Sequence, residues 1–312
     1  MKADLTLVVP CFNEADALAR TIATLTGILA DLVAREKIGA SSKALFVDDG
    51  SFDATWDLIA AASLDSSMVS GIKLSRNVGH QNALLAGLQH VRTEMSISID
   101  ADLQDDVSAI ESMVDRYHEG FQVVYGVRNN RDSDRPFKRW TARLFYRLMT
   151  RLGVDSVENH ADFRLLGAPA LRALLSFGEV NAYVRGLVPL VGYKTTCVYY
   201  RRLERELGES KYSLSKMFSL AARGITSFSV IPLRIIAVFG FIVSIFSGVL
   251  SIGVILAKLF GNPMQGWAST TLIIFFMGGI QMLALGIVGE YVGCIYLEVK
   301  NRPRYFVEAT TE

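Results

Sequence analysis

Met95-Ser-Ile-Ser-Ile-Asp-Ala-Asp-Leu-Gln104 is a short apolar run that ends in two carboxylates one residue apart. Working outward, the same pattern returns. Leu5 to Val9 ends at Pro10, Ala44 to Val47 ends at Asp48, and Val123 to Tyr125 ends at Gly126. Between these runs the apolar spacing predicts helices over Ala15 to Arg35, Ala54 to Ala62, Gln81 to Val91 and Val107 to Glu119. Alternating strand and helix signals imply an α/β domain, Rossmann-like, with a mostly parallel sheet covered on both faces. Ligands in such sheets bind beyond the carboxyl ends of the strands. Polar residues stand at four of those ends: Asn13-Glu14, Asp48-Asp49-Gly50-Ser51, Asp100-Ala-Asp102 and Arg128.

Asp100 and Asp102 carry the sharpest chemistry. Two carboxylates leaving a buried strand can present oxygens to one hard cation. Mg2+ or Mn2+ bound this way keeps several waters and takes up diphosphate oxygens. Asp105 and Asp106 are expected to open the next helix, where acidic groups suit the helix dipole. No Gly-x-Gly-x-x-Gly follows the first strand and no phosphate-loop lysine motif occurs, which argues against dinucleotide oxidoreductases and P-loop enzymes. A net charge of +1 over 312 residues excludes a general affinity for nucleic acid. The three cysteines are far apart and read as unpaired thiols in a reducing compartment. Met1 to Glu14 does not read as a signal peptide, so the first domain is expected in the cytoplasm.

Hydrophobic residues make up 51% of the chain, concentrated after Pro232. Between Arg234 and Lys258 lie 23 uncharged residues, enough at about 1.5 Å each to cross a hydrocarbon core. A second stretch, Leu259 to Gly289, has its apolar core at Trp267 to Gly289, and Gly261-Asn-Pro263 separates the two. Buried core helices are the alternative. Arg223, Arg234, Lys300, Arg302 and Arg304 flank the pair, so both ends are expected on the cytoplasmic side. Tyr291, Tyr296 and Tyr305 are expected in an aromatic belt. Ser213 to Ser229 reads as an interfacial helix or a plain linker helix. The expected divisions are 1–210 for the cytoplasmic domain, 211–232 for the interfacial region, 233–298 for a two-helix transmembrane hairpin and 299–312 for a tail.

Val9-Pro-Cys-Phe-Asn-Glu14, Val47-Asp-Asp-Gly-Ser51, Asp100-Ala-Asp-Leu-Gln104 and Glu206-Leu-Gly-Glu-Ser-Lys-Tyr212 resemble family 2 nucleotide-sugar glycosyltransferases with the GT-A fold. The likeness is nearest to bactoprenol (undecaprenyl-phosphate) glucosyltransferases, with dolichol-phosphate mannose synthase and undecaprenyl-phosphate aminoarabinose transferase as relatives. Ala161-Asp-Phe-Arg-Leu165 and Arg302-Pro-Arg-Tyr305 also fit the bactoprenol group. The resemblance implies inverting, metal-dependent transfer of one sugar, glucose from UDP-glucose in the first instance, to polyprenyl phosphate at the cytoplasmic membrane. Mannose, galactose or an amino sugar are alternatives, as are a processive polysaccharide synthase and a noncatalytic scaffold.

By the same resemblance Pro10, Phe12, Glu14 and Asp49 line a nucleoside pocket, with Asp49 accepting from the base or ribose. Asp100 and Asp102 face the diphosphate and metal, beside Ala101 and Gln104. Arg128 and Arg205 hold phosphate charge, and Asp162 matches the position assigned to the catalytic base. A lipid phosphate, with a second pKa near ~6, is already mostly ionised at neutral pH. Asp162 is therefore expected to orient the acceptor or a cation as much as to accept a proton, or else to pair with Arg164. Arg201, Arg202, Arg205 and Lys211 are candidates for the lipid phosphate. Arg139, Arg143, Arg147 and Arg151 repeat every four residues and would face anionic headgroups or internal carboxylates. A homo-oligomer is expected from the glycines of the apolar helices.

Overall fold

The computed structural model describes residues 2–128, 160–179, 184–200, 231–259 and 267–311. The chain divides into two compact units. One holds the sheet together with the residues from Arg302 onward, and the other holds the two long apolar helices.

The first unit opens with β1 (Leu5–Cys11), α1 (Ala15–Ala34), β2 (Lys43–Asp48), α2 (Thr55–Asp65) and β3 (Val69–Leu74). It continues with α3 (His80–His90), β4 (Met95–Ser98), α4 (Ala109–His118) and β5 (Val123–Arg128). β6 (His160–Gly167), α5 (Ala168–Leu175), α6 (Val184–Leu187), a 3-10 turn at Val188–Val191 and β7 (Thr195–Tyr200) come next. The eight strands lie in the order β7-β5-β6-β4-β1-β2-β3-β8, with β8 at Val307–Thr310. β1 pairs in parallel with β2 and β4, β2 with β3, and β5 with β7. β6 runs antiparallel to both β4 and β5, and β8 antiparallel to β3.

Every residue of β1 is buried, as a central parallel strand covered on two faces requires. α1 turns Leu18, Leu25, Leu29 and Leu32 into the core. By length and composition α1 could cross a membrane, but these buried leucines make it a helix of the sheet domain. α3 lies close on the sheet because Gly87 has no Cβ. A Cβ there would stand 2.4 Å from Val8 Cγ1 and 2.8 Å from Val47 Cγ2. That close seating fixes where the first residue of α3, His80, meets the strand ends.

The residues from Arg302 onward, expected only as a tail, complete the sheet. The Gly71 amide donates to Thr311 Oγ1 at 2.8 Å and the Thr311 amide to the Gly71 carbonyl at 3.0 Å. The Ser75 amide donates to the Phe306 carbonyl at 3.0 Å, and Lys73 meets Glu308 at 3.1 Å. Tyr305 corrects the expectation of an aromatic belt: its hydroxyl donates to Gln89 Oε1 in the sheet unit. The short side chain of Ala309 and the polar Thr310 and Thr311 give no apolar run by which to foresee this strand.

In the second unit α7 (Ile231–Leu259) has 29 residues and α8 (Trp267–Lys300) has 34. At ~1.5 Å per residue each exceeds the ~30 Å of a hydrocarbon core. α8 continues past the apolar core at Gly289 and ends at Lys300. Ile235, Phe239, Ile242 and Phe246 on α7, and Ile274, Phe276, Met282 and Leu285 on α8, all expose large apolar side chains. So much uncovered apolar surface calls for an apolar surrounding or a partner.

Candidate active site

The loops after β1 and β2 are stitched together. The Asn13 amide donates to Ser51 Oγ at 2.9 Å, and Asn13 Oδ1 accepts from the Phe52 amide at 2.9 Å. Asn13 adopts a positive φ of 53°, which this residue type tolerates well. The Glu14 amide donates to Thr55 Oγ1 at 3.0 Å, and its carbonyl starts α1 by accepting from Leu18. Phe12, half out of the surface, meets Phe52 edge to face at 6.2 Å between centroids. Pro10 is buried in β1. Pro10, Phe12 and Glu14 thus stand along one stretch beside the β2 loop.

Asp49, expected to accept from the base or ribose, also holds backbone. It is buried, and its two oxygens accept from the Val78 amide at 2.7 Å and the Gly79 amide at 3.0 Å. The carboxylate thereby pins the loop between β3 and α3. Burial raises the Asp49 carboxyl above its ordinary range, opposed by those two amides. Gly50 makes the closure possible. Its φ is +67°, and a Cβ would lie 2.5 Å from the Arg76 carbonyl carbon, a backbone atom that cannot swing aside.

Asp100 stands two residues past the end of β4. Ala101 is buried and its carbonyl accepts from Thr21 Oγ1 at 2.8 Å, which anchors the turn to α1. Leu103 takes a positive φ of 46°, and Asp102 Oδ1 accepts from the Gln104 amide at 3.2 Å. The turn leaves Asp102 exposed, Asp100 half-buried and Gln104 buried. Burial raises the Asp100 carboxyl, His80 opposes this, and Asp105, Asp162 and Asp102 raise it further. A cluster of like charges of this kind is relieved by a divalent cation. Among the described residues no three His, Cys, Asp or Glu side chains form a closed metal site. Two hard carboxylates are nonetheless a fitting donor set for a cation that completes its shell with water and substrate phosphates.

β6 brings the remaining acid. Its antiparallel register pairs Ser98 with Arg164, so Asp100, two residues on from Ser98, comes level with Asp162, two residues back from Arg164. Ser98 Oγ donates to the Asp162 carbonyl. His80 Nε2 lies 3.6 Å from Asp100 Oδ1 and 3.5 Å from Asp162 Oδ2. Asp162 is crowded with donors. Its Oδ1 meets Arg164 Nη2 at 2.5 Å and Arg185 Nε at 3.1 Å. Its Oδ2 meets Arg185 Nη2 at 3.0 Å and Gln81 Nε2 at 3.1 Å. Burial by itself would raise this carboxyl; the His80 contact and the charges of Arg164 and Arg185 prevail and hold it far below the usual range. A carboxylate so acidic and so fully hydrogen-bonded is a poor general base.

Asp105 corrects one expectation. Asp105, expected to open the next helix, is buried, and its Oδ1 accepts from Arg128 Nη2 at 2.9 Å, Arg128 Nε at 3.1 Å and the Tyr200 hydroxyl at 2.5 Å. Arg128, expected to hold phosphate charge, pairs here with Asp105. Asp106 lies three residues ahead of α4 and accepts from the Ser108 amide at 3.0 Å. Arg201, Arg202, Arg205 and Lys211, the arginines at 139, 143, 147 and 151, and the segment 213–229 lie outside the described residues.

Residues 6–174, more than half of the chain, match the sequence model of glycosyl transferase family 2. The chain belongs to that family. This glycosyltransferase is 50% identical over 306 residues to the uncharacterized glycosyltransferase YkoT of Bacillus subtilis, covering 97% of this chain and 91% of the relative. It is 36% identical over 306 residues to the bactoprenol glucosyl transferase of Shigella phage SfII, covering 97% of each. Among solved structures, glucosyl-3-phosphoglycerate synthase from Mycobacterium tuberculosis, in complex with Mn2+, uridine diphosphate and phosphoglyceric acid, aligns with a TM-score of 0.48 at 16% identity, covering 72% of this chain and 76% of that one. Membership of family 2 agrees with the GT-A fold expected from the resemblance.

Within this glycosyltransferase, His80, Gln81 and Arg185 are site residues that sequence reasoning missed. β3 reads Val-Ser-Gly-Ile-Lys-Leu, and its buried Ser70 and Gly71 interrupt any apolar run. Without a strand signal there, the loop leading to His80 carries no mark of a strand end. A recognisable strand would have marked Gly79-His80-Gln81 as a loop-to-helix junction facing the site. Arg185 has no comparable local signal.

Proposed function

We propose that this glycosyltransferase moves a single sugar, glucose from UDP-glucose in the first instance, onto a polyprenyl phosphate at the cytoplasmic face of a membrane. The observation that carries this proposal is one chain in which a carboxylate and arginine cluster at strand ends accompanies two long helices with uncovered apolar side chains. Near full-length similarity to bactoprenol glucosyl transferases supports the same acceptor. α7 and α8 then serve as membrane spans that keep the catalytic unit beside its lipid substrate, which lowers the cost of bringing the reactants together.

Pro10, Phe12 and Glu14 flank the nucleoside, and Asp49 and Gly50 shape the loop beside it. Asp100 and Asp102 would hold Mg2+ or Mn2+, which when bound supplies charge neutralisation for the departing diphosphate. An acceptor phosphate oxygen forms the bond to the anomeric carbon while the bond from that carbon to the diphosphate oxygen breaks. The electron pair leaves with the nucleotide, and the configuration inverts. No proton need be removed from an ionised phosphate, so Asp162 can remain hydrogen-bonded throughout and act by holding its neighbours in place.

The test is a donor screen with the purified full chain, undecaprenyl phosphate and either cation, following released nucleotide and product mass. One hexose per lipid, formed from UDP-glucose, is expected. A polymer, or no transfer to the lipid from any nucleotide sugar, would overturn the proposal. Full transfer by Asp102→Asn would remove the metal role.

A further inference from the structure

Asp162 is met by two arginines from different depths. The Arg164 side chain is 1% exposed and forms the internal pair within β6, whereas the Arg185 side chain is 38% exposed and arrives from α6. Arg185 engages both carboxylate oxygens through Nε and Nη2 at 3.1 and 3.0 Å, a fork-to-fork arrangement. Such a fork removes the torsional freedom of a long side chain and turns Nη1 away from the carboxylate. α6 is itself tied to the site. Gln81 Oε1 accepts from the Val184 amide at 3.3 Å while Gln81 Nε2 donates to Asp162.

The place where this guanidinium is held matters. His80 touches both Asp162 and Asp100, so Arg185 stands one side chain away from the acid that faces the donor diphosphate. The reaction brings two anions together. Asp100 and Asp102 are the acids proposed for the diphosphate, and the guanidinium is held on Asp162, the other carboxylate that His80 Nε2 approaches. A half-exposed arginine aimed by a buried carboxylate is suited to a phosphate, whose oxygens match its planar donors.

We propose that Arg185 contacts the acceptor phosphate, with Asp162 and Gln81 as positioning residues that act through it. This rests on the lipid-phosphate acceptor proposed above. Arg185 orients the nucleophilic oxygen toward the sugar and offsets the repulsion between the two phosphate groups. The Asp162 carboxylate serves to aim the guanidinium.

The experiment uses the full chain in lipid nanodiscs with UDP-glucose and undecaprenyl phosphate. It measures kcat, KM for each substrate, UDP affinity and the melting temperature. For Arg185→Ala the expected result is an acceptor KM raised at least tenfold, with donor KM and UDP affinity within about twofold of wild type. Arg185→Lys, which keeps the charge and loses the fork, should fall between the two and provides the same readout if the alanine variant does not fold. An unchanged acceptor KM in both variants overturns the proposal, as does a loss of UDP affinity matching the loss of acceptor affinity. A wild-type chain that transfers sugar to no polyprenyl phosphate overturns the function proposed above and this proposal with it. Normal wild-type transfer with an indifferent Arg185 overturns this proposal alone.

Discussion

Asp100 and Asp162 stand just beyond the paired ends of two antiparallel strands, and the ring of His80 bridges them at 3.6 and 3.5 Å. Neither strand could produce this by itself. Asp100 follows β4, Asp162 stands in β6, and α3 brings His80 to both.

Removing the charge at Asp162 should destabilise the fold with a definite dependence on pH. Asp162→Asn removes the carboxylate charge that meets the buried Arg164, and breaking a buried pair typically costs about 3 to 5 kcal/mol. Because the folded-state carboxyl is depressed, its contribution is fully present above the unfolded value of about 3.9 and is lost as pH falls toward the folded value. Melting curves should therefore show a constant deficit from neutral pH down to about 5, narrowing only in stronger acid. A deficit that disappears between pH 7 and 6 would contradict the depressed carboxyl.

Arg128 should prove structural. Arg128→Ala leaves Asp105 buried beside Tyr200 with its cation gone, and a loss of about 3 kcal/mol or more is expected. Chemical denaturation measures the loss, and UDP titration of the folded fraction should show affinity close to wild type. A stable variant with strongly weakened UDP binding would return Arg128 to the phosphate site.

The C-terminal strand should matter to the nucleotide side. Ending the chain after Pro303 removes β8, leaves the edge of β3 unpaired and frees the Ser75 amide from Phe306. The loop between β3 and α3 is the one Asp49 pins through Val78 and Gly79. Weaker UDP binding and faster amide exchange across residues 69–79 are the expected outcomes. Unchanged exchange there would show that the strand is dispensable.

The Gly50 turn admits no side chain. Gly50→Ala combines a positive φ with a clash against the Arg76 and Asn77 backbone, so a loss of about 1 to 3 kcal/mol is expected. Thermal melts check the magnitude, and a neutral result would mean that the loop can move away.

Local chemistry makes half of this protein legible from its residues. The parallel strand and helix units, the acids after β4, the loop after β2 and the two long apolar segments all show in periodicity and in the polar residues that close each run. Those features are encoded by neighbours in the chain. The tertiary structure alone decided that β6 enters antiparallel and sets Asp162 near Asp100. It also decided that Arg185 and Gln81 converge on Asp162, that Arg128 goes to Asp105, and that Thr311 closes against Gly71 across 240 residues of sequence. Charge pairs and strand pairing depend on distance in space, and an arginine or an edge strand looks the same in sequence whichever partner the fold brings to it.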